Sequence, residues 1–343
     1  MRNAKWKGKA LYRVRFVFHH PSFHISHFAF HTFLVCHFAF RTSHFALHPP
    51  DDKIHPMSDT AFPRTKVGGV EVSRMIIGTN WFLGFSHTSA AKDQLINSTM
   101  DRKKVADIME VFVRAGVDTT MGLIQRPLMY EGIQEVQQRT GKKLHVVSTP
   151  GLPLDPKDPG KGLDWDETKK LLDTEKKLGA EFCFPHMMTT DALMDRMTRK
   201  MRFGPEIMKL IRERGMIPGL STHMPESIIY ADESGLDVET YIQLYNSMGF
   251  LMQVEVDWIH RVIMDAKKPV MTIKPFAAGQ LRPFQALYFV WNTLREQDMV
   301  TVGTLTPDEA RELVDLSLTI LSQKQYTGKL QETRSKASIK KKD

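Results

Sequence analysis

From Met75 to the region of Leu321, short β-branched or apolar runs alternate with amphipathic stretches, and this alternation constrains the fold more than any other feature of the chain. There are eight such runs, at 75–79, 117–120, 145–149, 181–185, 217–221, 238–243, 270–274 and 300–302. Each is strand-length, and several are bounded by glycine or proline. The intervening stretches at 102–114, 167–178, 206–214, 226–233 and 308–321 carry apolar residues at i, i+3/i+4 spacing with charges elsewhere, the signature of a helix with one buried face. Gly116, Gly179 and Gly215 each stand where a helix must stop before a strand, as a left-handed C-terminal cap would. Thr306-Pro307-Asp308-Glu309 has the form of a capping box with proline in the first helical position, so the last helix starts there. Strand spacings of about 20 to 45 residues suit successive βα units of a barrel. A doubly wound sheet shows the same alternation but ordinarily carries a glycine-rich phosphate loop after its first strand, and Gly78-Thr79-Asn80-Trp81-Phe82-Leu83-Gly84 lacks that spacing. The expectation is an α/β chain with one domain, a (β/α)8 TIM barrel over 57–325.

The two ends read differently. Residues 1–56 hold 9 of the 14 histidines and 9 of the 20 phenylalanines in a near-repeat such as His27-Phe28-Ala29-Phe30-His31 and His37-Phe38-Ala39-Phe40-Arg41. This is low-complexity sequence, read as a translated upstream repeat before a start at Met57 in preference to a targeting peptide. Residues 326–343 read as a basic disordered tail. Of the net charge of +8, the first 56 residues supply +6 and the last ten +4, which leaves 57–333 at −2. A basic groove for nucleic acid is therefore not expected. The body has no uncharged apolar stretch of membrane-spanning length, so no membrane partner is expected either. Two cysteines, Cys36 and Cys183, form neither a disulfide framework nor a zinc pattern, and a reducing, cytoplasmic location fits.

Three segments resemble the aldo-keto reductases. Val67-Gly68-Gly69-Val70-Glu71-Val72-Ser73-Arg74-Met75-Ile76-Ile77-Gly78-Thr79 is similar to their opening hairpin and first strand. Gly219-Leu220-Ser221-Thr222-His223-Met224-Pro225-Glu226 is similar to the family's Gly-Val-Ser-Asn-His-Ser-Pro-Glu after strand five, and Lys274-Pro275-Phe276-Ala277-Ala278-Gly279 to its Ser-Pro-Leu-Ala-Gly-Gly after strand seven. The resemblance implies a barrel with a short N-terminal hairpin and an oxidoreductase acting on a small carbonyl or sugar-type substrate with NADP or NAD. The family's Asp and Tyr after strand two, Lys ending strand three and His ending strand four carry over only in part. Met121 stands in the acid's place, no Tyr follows before Tyr130, Pro150 stands in the lysine's place, and His186 alone matches.

In a (β/α)8 barrel the reactive groups lie at the C-terminal ends of the strands. The catalytic candidates there are His186, Lys274 and His223, because a desolvated lysine serves as acid, base or imine former and two histidines on adjacent strands can share proton transfer. By the resemblance, Lys274, Pro275, Phe276, Ala277, Gly279, Gly303, Thr304 and Thr306 would hold the cofactor, the last three as a phosphate cradle at a helix start. Asn80, Trp81, Thr120, Thr149 and Asn246 are the candidate substrate pocket. No metal-ligand spacing is present. The rival readings are a nicotinamide-independent lyase or isomerase using a Lys274 imine or a metal on His186 and His223, with Asp191 or Glu226 as the carboxylate, and a barrel that binds ligands without catalysis. The methionines at 187, 188, 194, 197 and 201 read as packing or a lid, and Asp257 and His260 as helix residues facing solvent or a neighbouring helix.

Overall fold

A computed structural model describes residues 61–154 and 161–323; the histidine-rich segment and the basic tail lie outside the described residues. Strands β1 (Arg64–Val67) and β2 (Val70–Ser73) form an antiparallel hairpin in which Val67 pairs with Val70. The two-residue turn between them, Gly68-Gly69, has positive φ at both positions, the geometry a type I′ turn demands and glycine supplies without steric cost.

The barrel follows. Its strands are β3 (Met75–Gly78), β4 (Thr119–Gly122), β5 (His145–Ser148) and β6 (Phe182–Cys183), then β9 (Ile217–Pro218) with β10 (Leu220–Ser221), then β11 (Tyr241–Leu244), β12 (Val270–Ile273) and β13 (Met299–Val302). All pair in parallel in the order β10-β11-β12-β13-β3-β4-β5-β6-β9. Because β9 and β10 are consecutive in the chain, the two ends of that order meet at Gly219 and the ring closes with eight strand positions. A side chain at 219 would reach the Phe184 ring at 2.6 Å, so the fifth strand can pass Phe184 there only as glycine.

Strand alternation divides the core. Ile76, Met121, Val147, Phe182, Phe184, Ile242, Met271 and Met299 point inward and pack on one another, and Val67 and Val72 of the hairpin join them. The hairpin runs directly into the start of β3, so it closes the N-terminal end of the barrel. Their neighbours Met75, Ile77, Val146, Tyr241, Val270 and Val300 face the helices instead. Each fully buried aliphatic side chain contributes about 1.5–3 kcal/mol.

The helices are α1 (Ala90–Thr99), α2 (Arg102–Arg114), α3 (Pro127–Thr140), α4 (Trp165–Lys177), α5 (Met187–Leu193), α6 (Gly204–Glu213), α7 (Glu226–Ser234), α8 (Val256–Asp265), α9 (Pro283–Thr293) and α10 (Pro307–Leu321). Gly116, Gly179 and Gly215 adopt positive φ at the helix ends, and the Glu309 backbone N–H donates to Thr306 Oγ1 at 3.1 Å, as the stop and start signals imply. Two strands begin later than their apolar runs. The Val117 N–H donates to Phe112 O, closing α2, and the Val238 N–H donates to Leu236 O in a tight turn, so neither is free for the ladder until Thr119 and Tyr241. A further antiparallel pair, β7 (Met194–Asp195) with β8 (Lys200–Met201), follows α5. It buries Met194 and Met201, whereas Met197 at its tip is fully in solvent. His260 does not face solvent; it is buried with Nδ1 3.2 Å from the Tyr245 hydroxyl. Among the described residues no helix is long and apolar enough to cross a membrane.

Candidate active site

A cavity of about 590 Å³ opens at the C-terminal ends of the barrel strands, opposite the hairpin. Nearly every strand position contributes to its wall: Thr79, Asn80 and Trp81 after β3, Met121 and Gly122 of β4, Thr149 after β5, His186 after β6, Ser221 and His223 after β10, Lys274 after β12, and Gly303 and Thr304 after β13. It runs on between the 274–283 segment and the start of α10, where Glu309 and Glu312 line its far end.

Most of the sequence candidates therefore meet in one place. His186, His223, Lys274, Pro275, Phe276, Gly279, Gly303, Thr304, Asn80, Trp81 and Thr149 all line the cavity. Four others lie off its wall. Thr120 is buried between strands with Oγ1 donating to Ile77 O at 3.1 Å, because its side chain falls on the helix-facing side of β4. Asn246 is buried and clamps the next loop, its Nδ2 donating to Phe250 O at 3.1 Å and its Oδ1 accepting from Phe250 N–H at 2.8 Å. Ala277 is buried behind the strand-seven loop, and Thr306 is the N-cap of α10.

Lys274 is the half-buried centre of the site. Among the described residues its ammonium has no ion pair and no side-chain hydrogen bond, and burial lowers its pKa from 10.5 to about 8. Its backbone is left-handed at φ 60, as are Ala277 and Ala278 at 49 and 56. For non-glycine residues this conformation costs about 1–2 kcal/mol each, strain of the kind that collects at functional sites.

His186 is the N-cap of α5, and its Nδ1 accepts from the Met188 backbone N–H at 3.3 Å. That bond fixes the tautomer: the ring proton of a neutral His186 sits on Nε2, which has no partner among the described residues. Burial, then the charge of Lys274, lowers its pKa, so it is neutral at pH 7. His223 is lowered further, to about 4, by burial and by Lys274, His186 and His87 in that order.

His87 is the residue that sequence reasoning missed. It stands at the cavity rim in the loop after β3, with φ 58, and its pKa is lowered by desolvation and by Lys274, against a smaller opposing effect of Asp93. A lone histidine in a polar loop gives no signal in the sequence, because only the left-handed turn brings it over the barrel mouth.

The carboxylates proposed for a metal are committed elsewhere. Asp191 accepts from the Thr222 hydroxyl and from the His223 backbone N–H at 3.1 Å, and Glu226 pairs with Arg196 at 2.7 Å. Among the described residues no three His, Cys, Asp or Glu side chains are grouped so as to share a metal ion. Two buried hydroxyls of the cavity wall, Thr79 Oγ1 and Thr304 Oγ1, have no hydrogen-bond partner among the described residues. A buried hydroxyl normally finds one, in the protein, in ordered water or in a ligand, and both of these face the cavity.

No protein-family profile matches the sequence. No curated protein matches it either. Solved structures do. Two structures of Pseudomonas aeruginosa proteins assigned to the aldo-keto reductases superpose with TM-scores of 0.54 and 0.55 at 15% and 14% identity, covering 75% and 78% of this chain and 96% and 99% of theirs. The chain has the aldo-keto reductase fold. A protein assigned as a 2,5-diketo-D-gluconic acid reductase B is similar at a TM-score of 0.51 and 11% identity, over 80% of this chain and 95% of that one. In this barrel Met121 lines the cavity, and no tyrosine does so among the described residues.

Proposed function

We propose that the chain is a nicotinamide-dependent oxidoreductase that reduces a small carbonyl compound, with Lys274 as proton donor and His186 as the hydrogen-bond donor that holds the carbonyl. The observation that carries this reading is Lys274 itself: a half-buried ammonium whose pKa of about 8 lies close to working pH, in the same cavity as a neutral imidazole with an unengaged Nε2–H. A general acid works best with its pKa near the operating pH.

The residues present fit a dinucleotide. The unpartnered Thr304 hydroxyl beside Gly303 suits a phosphate oxygen, with Arg282 on the same cleft as a counter-charge. At Gly303 a Cβ would stand 3.1 Å from the Trp81 indole, so glycine keeps the backbone open between the two. When bound, the reduced nicotinamide supplies a hydride to the carbonyl carbon. Lys274 Nζ gives a proton to the carbonyl oxygen, completing an alcohol, and is reprotonated from solvent. His186 Nε2–H donates to the same oxygen and orients it, while Trp81 and Phe276 provide the apolar walls that exclude water. The far end of the cleft carries Glu309, whose carboxylate accepts from the Leu305 N–H at 2.6 Å, and Glu312. Carboxylates there suit a ribose hydroxyl and repel a 2′-phosphate, which favours NADH over NADPH.

Titration with NADH and NADPH, read by intrinsic fluorescence and thermal stability, tests the proposal. A ligand at one hundred times its dissociation constant stabilises a fold by about 2.7 kcal/mol. Saturable binding supports the reading, and no binding of either nucleotide removes it.

One rival keeps a specific observation. An amine with a pKa of about 8 and no counter-ion in an apolar cavity is also suited to attack a carbonyl, expelling water to form an imine. Borohydride reduction with substrate present would then leave a covalent adduct on Lys274.

A further inference from the structure

The charge of the cavity is unevenly divided. Around the barrel axis the lining holds Lys274, His186 and His223, with His87 above them at the rim, and not one carboxylate. The two acids of the wall, Glu309 and Glu312, both belong to α10 at the far end. Asp93, the acid nearest His87, is turned into its own loop, where it accepts from the Ser86 backbone N–H at 2.9 Å and from the Ser86 hydroxyl. A folded protein ordinarily supplies a buried cation with a partner, because removing charge from water without compensation costs several kcal/mol. Here Lys274, His186 and His223 converge with no carboxylate on the wall beside them, Asp93 acts only on the exposed His87 and less than Lys274 does, and the buried Thr79 hydroxyl, without a partner among the described residues, lies in the same wall. Lys274 and His87 hold this arrangement in left-handed backbone conformations, which are uncommon outside glycine and costlier for the lysine than for the histidine.

We propose that the substrate carries an oxyanion, a carboxylate or a phosphate ester, close to its reactive carbonyl, and that this group docks at the barrel axis between Lys274 and His87. The missing counter-charge is thus the ligand's own. The field of Lys274 reaches all three imidazoles, and each is more easily protonated once an anion sits among them, so the cluster strengthens its own grip as it is filled. His186 and Lys274 then face a carbonyl already fixed through its neighbour. Lys274 closes the anion site and donates the proton; His87 is a specificity residue with no part in proton transfer.

This rests on reading the cavity as a substrate site, but its test needs no nucleotide and no turnover. The full chain is titrated calorimetrically at pH 7 with oxamate, with inorganic phosphate and with oxamide as the neutral control. Oxamate or phosphate is expected to bind at least about tenfold more tightly than oxamide. Lys274→Met and His87→Asn should each weaken that binding several-fold, and asparagine tolerates the left-handed backbone at position 87, so that variant keeps the fold. Tighter oxamate identifies an oxo acid, and tighter phosphate a phosphorylated substrate. Equal binding of oxamide and the two anions, or anion binding unchanged in both variants, overturns the proposal. Failure of NADH and NADPH to bind while oxamate or phosphate binds would remove the reductase reading alone.

Discussion

Replacing Lys274 by methionine should make the protein more stable, by an amount that depends on pH. Burial brings the lysine pKa from 10.5 in the unfolded chain to about 8 in the fold. At 1.36 kcal/mol per unit, that difference amounts to about 3 kcal/mol of destabilisation wherever both states are protonated, below about pH 7.5. The sign follows from proton binding. Between pH 8 and 10.5 the unfolded chain holds the proton and the native chain does not, so the stability of the wild type rises with pH across that window. At pH 9.5 roughly half of the penalty is gone. Methionine keeps the apolar stem and the left-handed strain and removes only the charge. Urea unfolding of both proteins at pH 7 and pH 9.5 should show the variant more stable by about 3 kcal/mol at the lower pH and by about half that at the higher. In the wild type, carbonyl reduction should decline above pH 8 as the ammonium loses its proton. A variant less stable than wild type, or a gain that does not change with pH, would mean that the lysine is neutralised by a partner and that the account of its pKa is wrong.

His186→Asn retains an acceptor for the Met188 N–H but loses the imidazole donor; kcat should fall by about 10²-fold or more with stability changed by less than about 1 kcal/mol, and a large loss of stability would assign His186 a structural role. Glu309→Gln preserves an acceptor for Leu305 while removing a carboxylate from the far end of the cleft, so the NADPH-to-NADH affinity ratio should rise several-fold; an unchanged ratio in direct binding would show that this end does not meet the adenosine ribose. Gly219→Ala forces a methyl against the Phe184 ring and should destabilise the fold by about 1–3 kcal/mol in urea titration, whereas a neutral result would mean that the barrel interior has room to shift.

Strand order and helix boundaries were legible because they depend on local alternation. The helix 102–114 is α2 to the residue, and the capping pattern at Thr306 marks the start of α10. Strand starts were less legible. An apolar residue such as Val117 looks like strand, yet its N–H is taken by the helix before it. In the site, proximity to a strand end identified His186, His223 and Lys274, and the same rule misplaced Thr120 and Asn246. One residue of register turns Thr120 towards the helices, and Asn246 is spent on its own loop. Neither fact is written in a periodicity. His87 needed the opposite information, a positive φ in a loop without regular pattern.

The interrupted fifth strand has a consequence for how the barrel breathes. On the β6 side the ladder ends at the Cys183–Pro218 pair, whereas on the β11 side Pro218 O accepts from the Glu239 N–H at 2.9 Å and the Leu220 N–H donates to Thr240 O at 3.1 Å, so at Gly219 the ring is hydrogen-bonded on one flank only. Pro218 contributes no amide hydrogen there. Amide exchange should therefore begin at this seam while β3, β4 and β5 stay protected. Ser221 and His223 stand two and four residues beyond Gly219, so the part of the ring that loosens first is the part that carries one wall of the cavity. Entry of a ligand and fluctuation of the scaffold then share a single clasp.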